Sequence, residues 1–308
     1  MSIDRRSFLL SAAAAGVAAH AGRSVAQPEK WRANPAGSGP RILKSLKFGM
    51  IGAGESVREK FELAKNAGFD GVELDSPSGL DMDEVIEARD EVGIRIPGVV
   101  DSAHWGKPFN HPDESVRAEG LAALETALRD CKKVGGSTVL VVPAVVRQGM
   151  SYADAYRLSQ KEIGKLVPLA EELGVAIAFE NVWNSFLLSP LEAARYVDEY
   201  ESDHVGWYFD VGNSVNYGWP EQWIDALGAR IFKLDVKEFS RSKRDNEGLW
   251  KGFGVEIGEG DCDWPAVREA LDRIGYRGWA SAEVGGGGAE RLADIASRMD
   301  QVLTFEGA

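Results

Sequence analysis

The chain has 308 residues, of which 44% are hydrophobic, and its net charge is −13 at pH 7. This apolar content is sufficient for one sizeable core, and barrels of about 250 residues fold as one domain. The negative charge argues against nucleic acid and anionic membranes as partners, because both require a basic surface on the protein.

The first thirty residues predict export from the cytoplasm. A twin-arginine pair, Arg5-Arg6, precedes a short alanine-rich run, and small residues follow at Ser24 and Ala26. This order is typical of a twin-arginine signal cleaved before Gln27, and it predicts a periplasmic or extracytoplasmic protein without membrane contact after cleavage. The alternative is an uncleaved N-terminal anchor, although the run is too short to span a bilayer. We place the signal at 1–26, a linker rich in proline and glycine at 27–44, and the folded domain at 45–308.

Eight apolar stretches alternate with helical stretches along the rest of the chain. The predicted strands are 46–51, 71–74, 95–100, 138–142, 175–180, 205–210, 231–236 and one ending near 284. The predicted helices are 57–67, 82–92, 116–134, 152–173, one that begins after Ser189-Pro190, 220–227, 264–274 and 289–303. A long polar insertion at 240–260 follows the seventh strand.

This alternation predicts an α/β protein with a parallel sheet. Glycines that end helices and lead directly into strands, such as Gly68 and Gly174, support repeated units but fit an open, doubly wound sheet as well as a closed barrel. The count of eight favours a single-domain (β/α)8 TIM barrel. A dinucleotide site is not expected, because Gly52-Ala-Gly54 lacks the third glycine of the usual motif.

Four carboxylates stand where apolar strands end. Glu180, Asp210, Asp235 and Glu283 fall at the ends of strands five to eight, which are neighbours in the predicted barrel. One such acid is weak evidence, since it often shapes a turn or caps a helix. Four acids at one mouth repel one another and cannot all stay ionised unless a cation lies among them. Oxygen-only ligands favour Mn²⁺ or Mg²⁺. We therefore expect one divalent metal ion there.

Residues 46–303 resemble the xylose isomerase-like TIM barrel family, which includes ketose 3-epimerases, hydroxypyruvate isomerase and endonuclease IV. The resemblance is carried by residues 68–74, 179–181, 209–212, 237–238, 257–264 and 276–283. It implies a metal held by Glu, Asp, His and Glu, at Glu180, Asp210, Asp235 and Glu283. Asp235 departs from this pattern, and Lys233 is the alternative alignment, although a protonated lysine would not bind a metal.

The resemblance also implies proton transfer next to a carbonyl through an enediolate, with Glu180 and Glu283 exchanging the proton. The expected activity is that of a sugar isomerase or epimerase on a small, non-phosphorylated sugar or keto-sugar. A 3-keto-glycoside lyase or hydratase using the same metal and the same first step is one alternative, and a catalytically silent sugar-binding protein is another. The endonuclease activity is not expected from an acidic chain with four histidines.

Further residues near the strand ends are candidates for binding the sugar. Four tryptophans offer flat faces for a sugar ring: Trp105 after strand three, Trp183 after strand five, Trp219 after strand six and Trp250 in the insertion after strand seven. Packing in the core is an equal alternative for each of them, as it is for the histidine beside Trp105. The basic residues after strand seven equally fit a solvated loop. The predicted substrate-binding set is His104, Trp105, Trp183, Asn213, Lys237, Arg241 and Glu73. The oligomeric state is left open, and a homo-oligomer is compatible with the sequence.

Overall fold

A computed structural model describes residues 27–32 and 41–305. Eight parallel strands pair in chain order, and the last pairs with the first, so the sheet is a closed barrel. The strands are β1 Leu43–Lys47, β2 Gly71–Ser76, β3 Gly98–Asp101, β4 Thr138–Val141, β5 Ala176–Glu180, β6 Val205–Asp210, β7 Ile231–Val236 and β8 Trp279–Ala282. The predicted (β/α)8 TIM barrel is confirmed over the described residues.

Helices lie between successive strands and cover the outside of the barrel. They are α1 Val57–Asn66, α2 Met82–Val92, α3 Glu114–Lys133, α4 Tyr152–Gly164, α5 Val167–Leu173, α6 Pro190–Asp198, α7 Val211–Val215, α8 Pro220–Leu227, α9 Arg241–Glu247, α10 Trp264–Arg273 and α11 Ala289–Leu303. Most of the buried apolar side chains form one cluster between these helices and the strands. Within the described residues, no helix has the length and apolar character required to cross a membrane.

Several elements differ from the prediction, among them the helix α7 Val211–Val215, which was not expected. The single helix expected at 152–173 is two helices, because Pro168 lacks an amide hydrogen and its ring excludes the carbonyl of Gly164 from a continuous helix. The first strand is Leu43–Lys47, and a short 3-10 helix at Phe48–Met50 occupies part of the range expected for it. The insertion after β7 contains α9 and a 3-10 helix at Leu249–Phe253.

The range 27–44, expected to be a linker, contains ordered structure at both of its described ends. Trp31 is buried and packs on Phe232, with ring centroids 5.0 Å apart. The side-chain amide of Gln27 donates to the carbonyl of Phe232. Residues 27–32 therefore close the N-terminal end of the barrel, and β1 begins inside the expected linker, at Leu43. The predicted signal at 1–26 lies outside the described residues.

Candidate metal centre

The four predicted ligands converge at the C-terminal end of the barrel. Glu180 and Asp210 are the last residues of β5 and β6, Asp235 lies in β7, and Glu283 directly follows β8. Each offers a carboxylate oxygen, and these four oxygens lie within 4.8 Å of one another. The backbone N–H of Glu283 donates to the carbonyl of Val236, so hydrogen bonding between neighbouring strands holds the last acid beside the third.

Two lysines enter this cluster of acids. Lys237 Nζ lies 2.9 Å from Asp210 Oδ2 and 3.1 Å from Glu283 Oε2. Lys47 Nζ, at the end of β1, lies 2.8 Å from Asp235 Oδ1 and 2.8 Å from Glu73 Oε2. Each ammonium group thus bridges two carboxylates, and the lysines limit the repulsion between acids that the fold brings together.

The acids strongly perturb one another. Burial raises the pKa of Glu180, Asp210 and Asp235, and the neighbouring carboxylates raise the pKa of Glu180 and Asp235 further. Burial alone would lower the pKa of Lys237, but Asp210, Glu283 and Glu180 outweigh it and hold that pKa above its ordinary value. The centre therefore favours positive charge and disfavours the simultaneous ionisation of all its acids unless another cation is present.

The donor set fits a divalent cation. Three buried oxygens, Asp210 Oδ2, Asp235 Oδ1 and Glu283 Oε2, have no polar partner other than the ammonium group of a lysine. With Glu73 included, five carboxylates lie near three ammonium groups, those of Lys47, Lys233 and Lys237, so full ionisation of the acids would leave two negative charges unbalanced. A hard divalent ion with oxygen ligands would neutralise both charges.

The structure resolves the alternative between Asp235 and Lys233. Lys233 is fully buried below the centre, where its ammonium donates to the carbonyl of Pro97 and to Glu73 Oε1. Its side chain therefore belongs to the interior of the barrel, and the third carboxylate of the cluster comes from Asp235.

A cavity of about 720 Å³ opens beside the acids. Of the four candidate ligands, Glu180 and Glu283 line it, whereas Asp210 and Asp235 do not and are fully buried. Four of the predicted substrate-binding residues also line it, namely Trp105, Trp183, Asn213 and Lys237. Asn213 Nδ2 donates to Glu180 Oε1 over 3.4 Å, which joins the wall of the cavity to the acids.

Three predicted substrate-binding residues do not line the cavity. The ring of His104 is buried, its Nδ1 accepts from the backbone N–H of Val142, and burial lowers its pKa to about 3, so the imidazole is neutral. Arg241 donates to the carbonyls of Val215 and Gly218. Both residues therefore serve the packing of loops.

Glu73 is the third of these residues, and it lies inside the barrel. Its carboxylate pairs with Lys47 and Lys233 and accepts from the hydroxyl of Tyr208. Burial alone would raise the pKa of Glu73, but the two lysines outweigh it and hold the pKa at about 2. The carboxylate stays ionised and fixes Lys47 beneath Asp235.

Sequence reasoning gave no role to Lys47, Phe253 or Arg291, although Lys47 contacts the centre and the other two line the cavity. Lys47 had no usable signal, because the first strand was expected at 46–51, which places Lys47 near the beginning of that strand; in the structure Lys47 is the last residue of β1. Phe253 and Arg291 had none either, because their positions depend on how an insertion and the last helix fold back over the barrel.

Comparisons with known proteins agree with this architecture. The chain is 28% identical over 262 residues to L-ribulose-5-phosphate 3-epimerase UlaE of Escherichia coli O1:K1 / APEC, covering 81% of this chain and 90% of that protein. Among solved structures, a D-tagatose 3-epimerase-like protein is 20% identical with a TM-score of 0.70, covering 85% of this chain and 98% of that one. The 3-keto-D-glucoside 4-epimerase YcjR from E. coli is 18% identical, with the same TM-score and coverage. The family described as xylose isomerase-like TIM barrel matches residues 61–301, and the chain belongs to this family.

Proposed function

We propose that the protein is a divalent-metal-dependent sugar epimerase or isomerase that moves a proton at a carbon next to a carbonyl. The observation that carries this proposal is the convergence of four carboxylates beside an open cavity. Glu180, Asp210, Asp235 and Glu283 would hold the ion, with Mn²⁺ or Mg²⁺ preferred by an all-oxygen set. Such an ion polarises a carbonyl and acidifies the adjacent C–H bond.

The two glutamates are the groups that would transfer the proton. Only Glu180 and Glu283 of the four acids line the cavity, so only they are placed to reach a substrate carbon. Asn213 donates to Glu180, and Lys237 pairs with Glu283, so each glutamate has a partner that orients it. One glutamate would accept the proton and the other would return it, from the opposite face in an epimerisation.

The charges in the cavity favour a substrate without a phosphate group. Its two cationic side chains are Lys237 and Arg291, and both are already paired with carboxylates. Lys237 contacts Asp210 and Glu283, and Arg291 contacts Glu256 and Asp294. A phosphate would have to draw these donors away from the carboxylates that they already contact. We therefore favour a neutral sugar or keto-sugar, in contrast to the phosphorylated substrate named for UlaE.

Hydrogen exchange tests the proposal directly. A panel of free sugars and 3-keto-glycosides is incubated with the protein and Mn²⁺ in D₂O, and mass spectrometry measures deuterium incorporation. We expect incorporation at a carbon next to the carbonyl, and its loss by at least about 100-fold in Glu283→Gln, the scale of general acid–base catalysis.

Glu256→Gln is the matched control, because Glu256 lines the same cavity but lies outside the carboxylate cluster. Incorporation that persists in Glu283→Gln would refute the role of that residue, and its absence with every compound would favour a silent binding protein. Release of an aglycone after exchange would identify a lyase, which shares this first step.

We also propose that the protein is exported from the cytoplasm. Arg5-Arg6 and the apolar run that follows support export by the twin-arginine route to the periplasm or another extracytoplasmic site. Outside the cytoplasm phosphorylated sugars are scarce, which agrees with the charge argument above. N-terminal sequencing of the exported protein checks this, and any start other than Gln27 would contradict the proposed cleavage.

A further inference from the structure

Three aromatic side chains form one side of the cavity, and we call them the aromatic wall: Trp183, Trp250 and Phe253. The ring centroids of Trp183 and Trp250 are 4.9 Å apart, and those of Trp183 and Phe253 are also 4.9 Å apart. Trp183 follows β5, whereas the other two residues belong to the 3-10 helix Leu249–Phe253 of the insertion after β7. Two separate segments thus contribute to one continuous aromatic surface.

Packing does not account for the position of Trp250. Its side chain is 70% exposed, and the preceding Leu249 is 45% exposed. Apolar side chains that stay exposed to this extent do not stabilise the fold, because a large aromatic residue is stabilising only when it is buried. Trp105, which is 45% exposed in the turn after β3, also lines the cavity, so a further exposed tryptophan borders the same space. The simplest explanation for these exposed tryptophan faces is that a ligand covers them when it binds.

The aromatic wall is tied to the metal centre by direct contacts. Trp183 Nε1 donates to the backbone carbonyl of Asn213 over 2.9 Å, and the side chain of Asn213 donates to Glu180. Lys237 Nζ lies 5.6 Å from the ring of Phe253 while it pairs with Asp210. A ligand held at the acids would therefore have this wall as its neighbour.

The volume of the cavity indicates a ligand larger than one sugar. Its 720 Å³ lies within the range of about 300–1,000 Å³ found for pockets that hold drug-sized molecules. A single sugar ring bound at the carboxylates fills only part of this space. The remaining part is bordered by aromatic faces, which bind the apolar face of another ring and disfavour an anion, because the face of an aromatic ring carries partial negative charge.

We propose that the aromatic wall is a subsite for a second ring, joined by a glycosidic bond to the sugar at the metal centre. The substrate class is accordingly a glycoside, either a disaccharide or a sugar with a flat aglycone. This inference rests on the proposed function for the identity of the first ring. In both kinds of glycoside the second ring presents a flat, weakly polar face. This face stacks on Trp250 and Trp183 and removes their exposed area from water.

Binding of unreactive glycosides tests the subsite without requiring turnover. Isothermal titration calorimetry with the Mn²⁺-loaded protein compares methyl β-D-glucopyranoside, phenyl β-D-glucopyranoside and cellobiose, together with the α-linked counterparts. We expect a two-ring probe to bind about tenfold more tightly than the methyl glycoside, corresponding to about 1.4 kcal/mol. A gain for the phenyl glycosides alone identifies a flat aglycone, and a gain for the disaccharides alone identifies a second sugar.

Trp250→Ala should remove most of this gain and leave the Kd of the methyl glycosides unchanged, while Trp250→Phe should retain part of it. The matched control is Trp219→Ala, since Trp219 is 53% exposed but does not line the cavity. Equal affinities for one-ring and two-ring probes, or an equal loss for all probes in Trp250→Ala, would overturn the subsite.

Two outcomes separate this inference from its alternatives. If Trp250→Ala changes the molar mass measured by light scattering but no Kd, Trp250 belongs to an interface between copies of the chain, and the subsite is refuted. If two-ring probes keep their advantage while no compound exchanges deuterium, the subsite stands and the proposed catalysis falls. The two proposals therefore fail by different measurements.

Discussion

The side chain of Lys237 places its own positive charge among the acids of the metal centre. Its ammonium lies about as close to Asp210 and Glu283 as a hydrogen-bonded partner would, at 2.9 and 3.1 Å. The oxygens that it approaches, Asp210 Oδ2 and Glu283 Oε2, have no other polar partner and are candidate metal ligands. The lysine and a divalent ion therefore compete for the same negative charge, and the lysine stabilises the fold before the ion is acquired.

Replacing this lysine should weaken the metal-free protein and tighten metal binding. In Lys237→Met, Asp210 and Glu283 lose their common partner, so we expect a lower Tm in EDTA. Mn²⁺ then meets one more unbalanced negative charge, and its Kd should fall by at least about tenfold. Calorimetric titration and thermal unfolding with and without Mn²⁺ measure both effects. Lys161→Met, on the exposed surface of α4, is the control, and weaker Mn²⁺ binding in Lys237→Met would contradict the competition.

At the scale of elements, the glycine-rich loop between β8 and α11 packs against the segment that follows β1. The backbone N–H of Gly287 donates to the carbonyl of Met50, and Gly52 donates to the carbonyl of Gly287. A Cβ on Gly286 would lie 1.9 Å from the carbonyl oxygen of Met50, so only glycine allows the two backbones to approach this closely. This contact fixes the segment that begins with Glu283.

A pair of neighbouring glycines tests this contact. Gly286→Ala should lower the free energy of unfolding by about 2 kcal/mol, because the backbone of Met50 must move to admit the methyl group. Gly285→Ala should change it by less than about 0.5 kcal/mol, since nothing lies within 4 Å of its added Cβ. Urea unfolding measures both, and equal effects of the two substitutions would show that the close approach is unimportant.

The order of elements was readable from the sequence, since most helices end near a glycine and most strands are largely apolar. The four carboxylates were readable for the same reason, because an acid after such a run marks the end of a strand. The roles of His104 and Arg241 were not, because proximity to a strand end does not say whether a side chain points into the cavity or into a loop. The break before Pro168 was visible, but the amphipathic pattern on both sides of it favoured one helix.

At the scale of the whole molecule, the barrel is organised in layers along its axis. The acids and the cavity lie at the C-terminal end, and Glu73, Lys233 and Tyr208 form a polar layer beneath them. Trp31 and Phe232 belong to an apolar cluster inside the barrel that is separate from the main core. The polar layer needs an environment without water for its ion pairs to be strong, so the closure at the other end supports the metal centre indirectly.

Trp31 contributes most of this closure, and its removal should therefore destabilise the entire barrel. The side chain is 6% exposed, packs on Phe232 and His204, and donates from Nε1 to the carbonyl of Asp203. Trp31→Ala removes these contacts and opens the interior to water, so we expect a loss of about 3 kcal/mol in the free energy of unfolding.

Trp250→Ala is the control for Trp31→Ala, because it is the same substitution at a residue that is 70% exposed, and it should cost less than about 0.5 kcal/mol. Urea unfolding followed by circular dichroism compares the two variants. If both lose equally little stability, residues 27–32 lie against the barrel without closing it, and the polar layer must be shielded from water by the strands alone. A large loss confined to Trp31→Ala would show that a segment preceding the first strand is a structural part of the barrel.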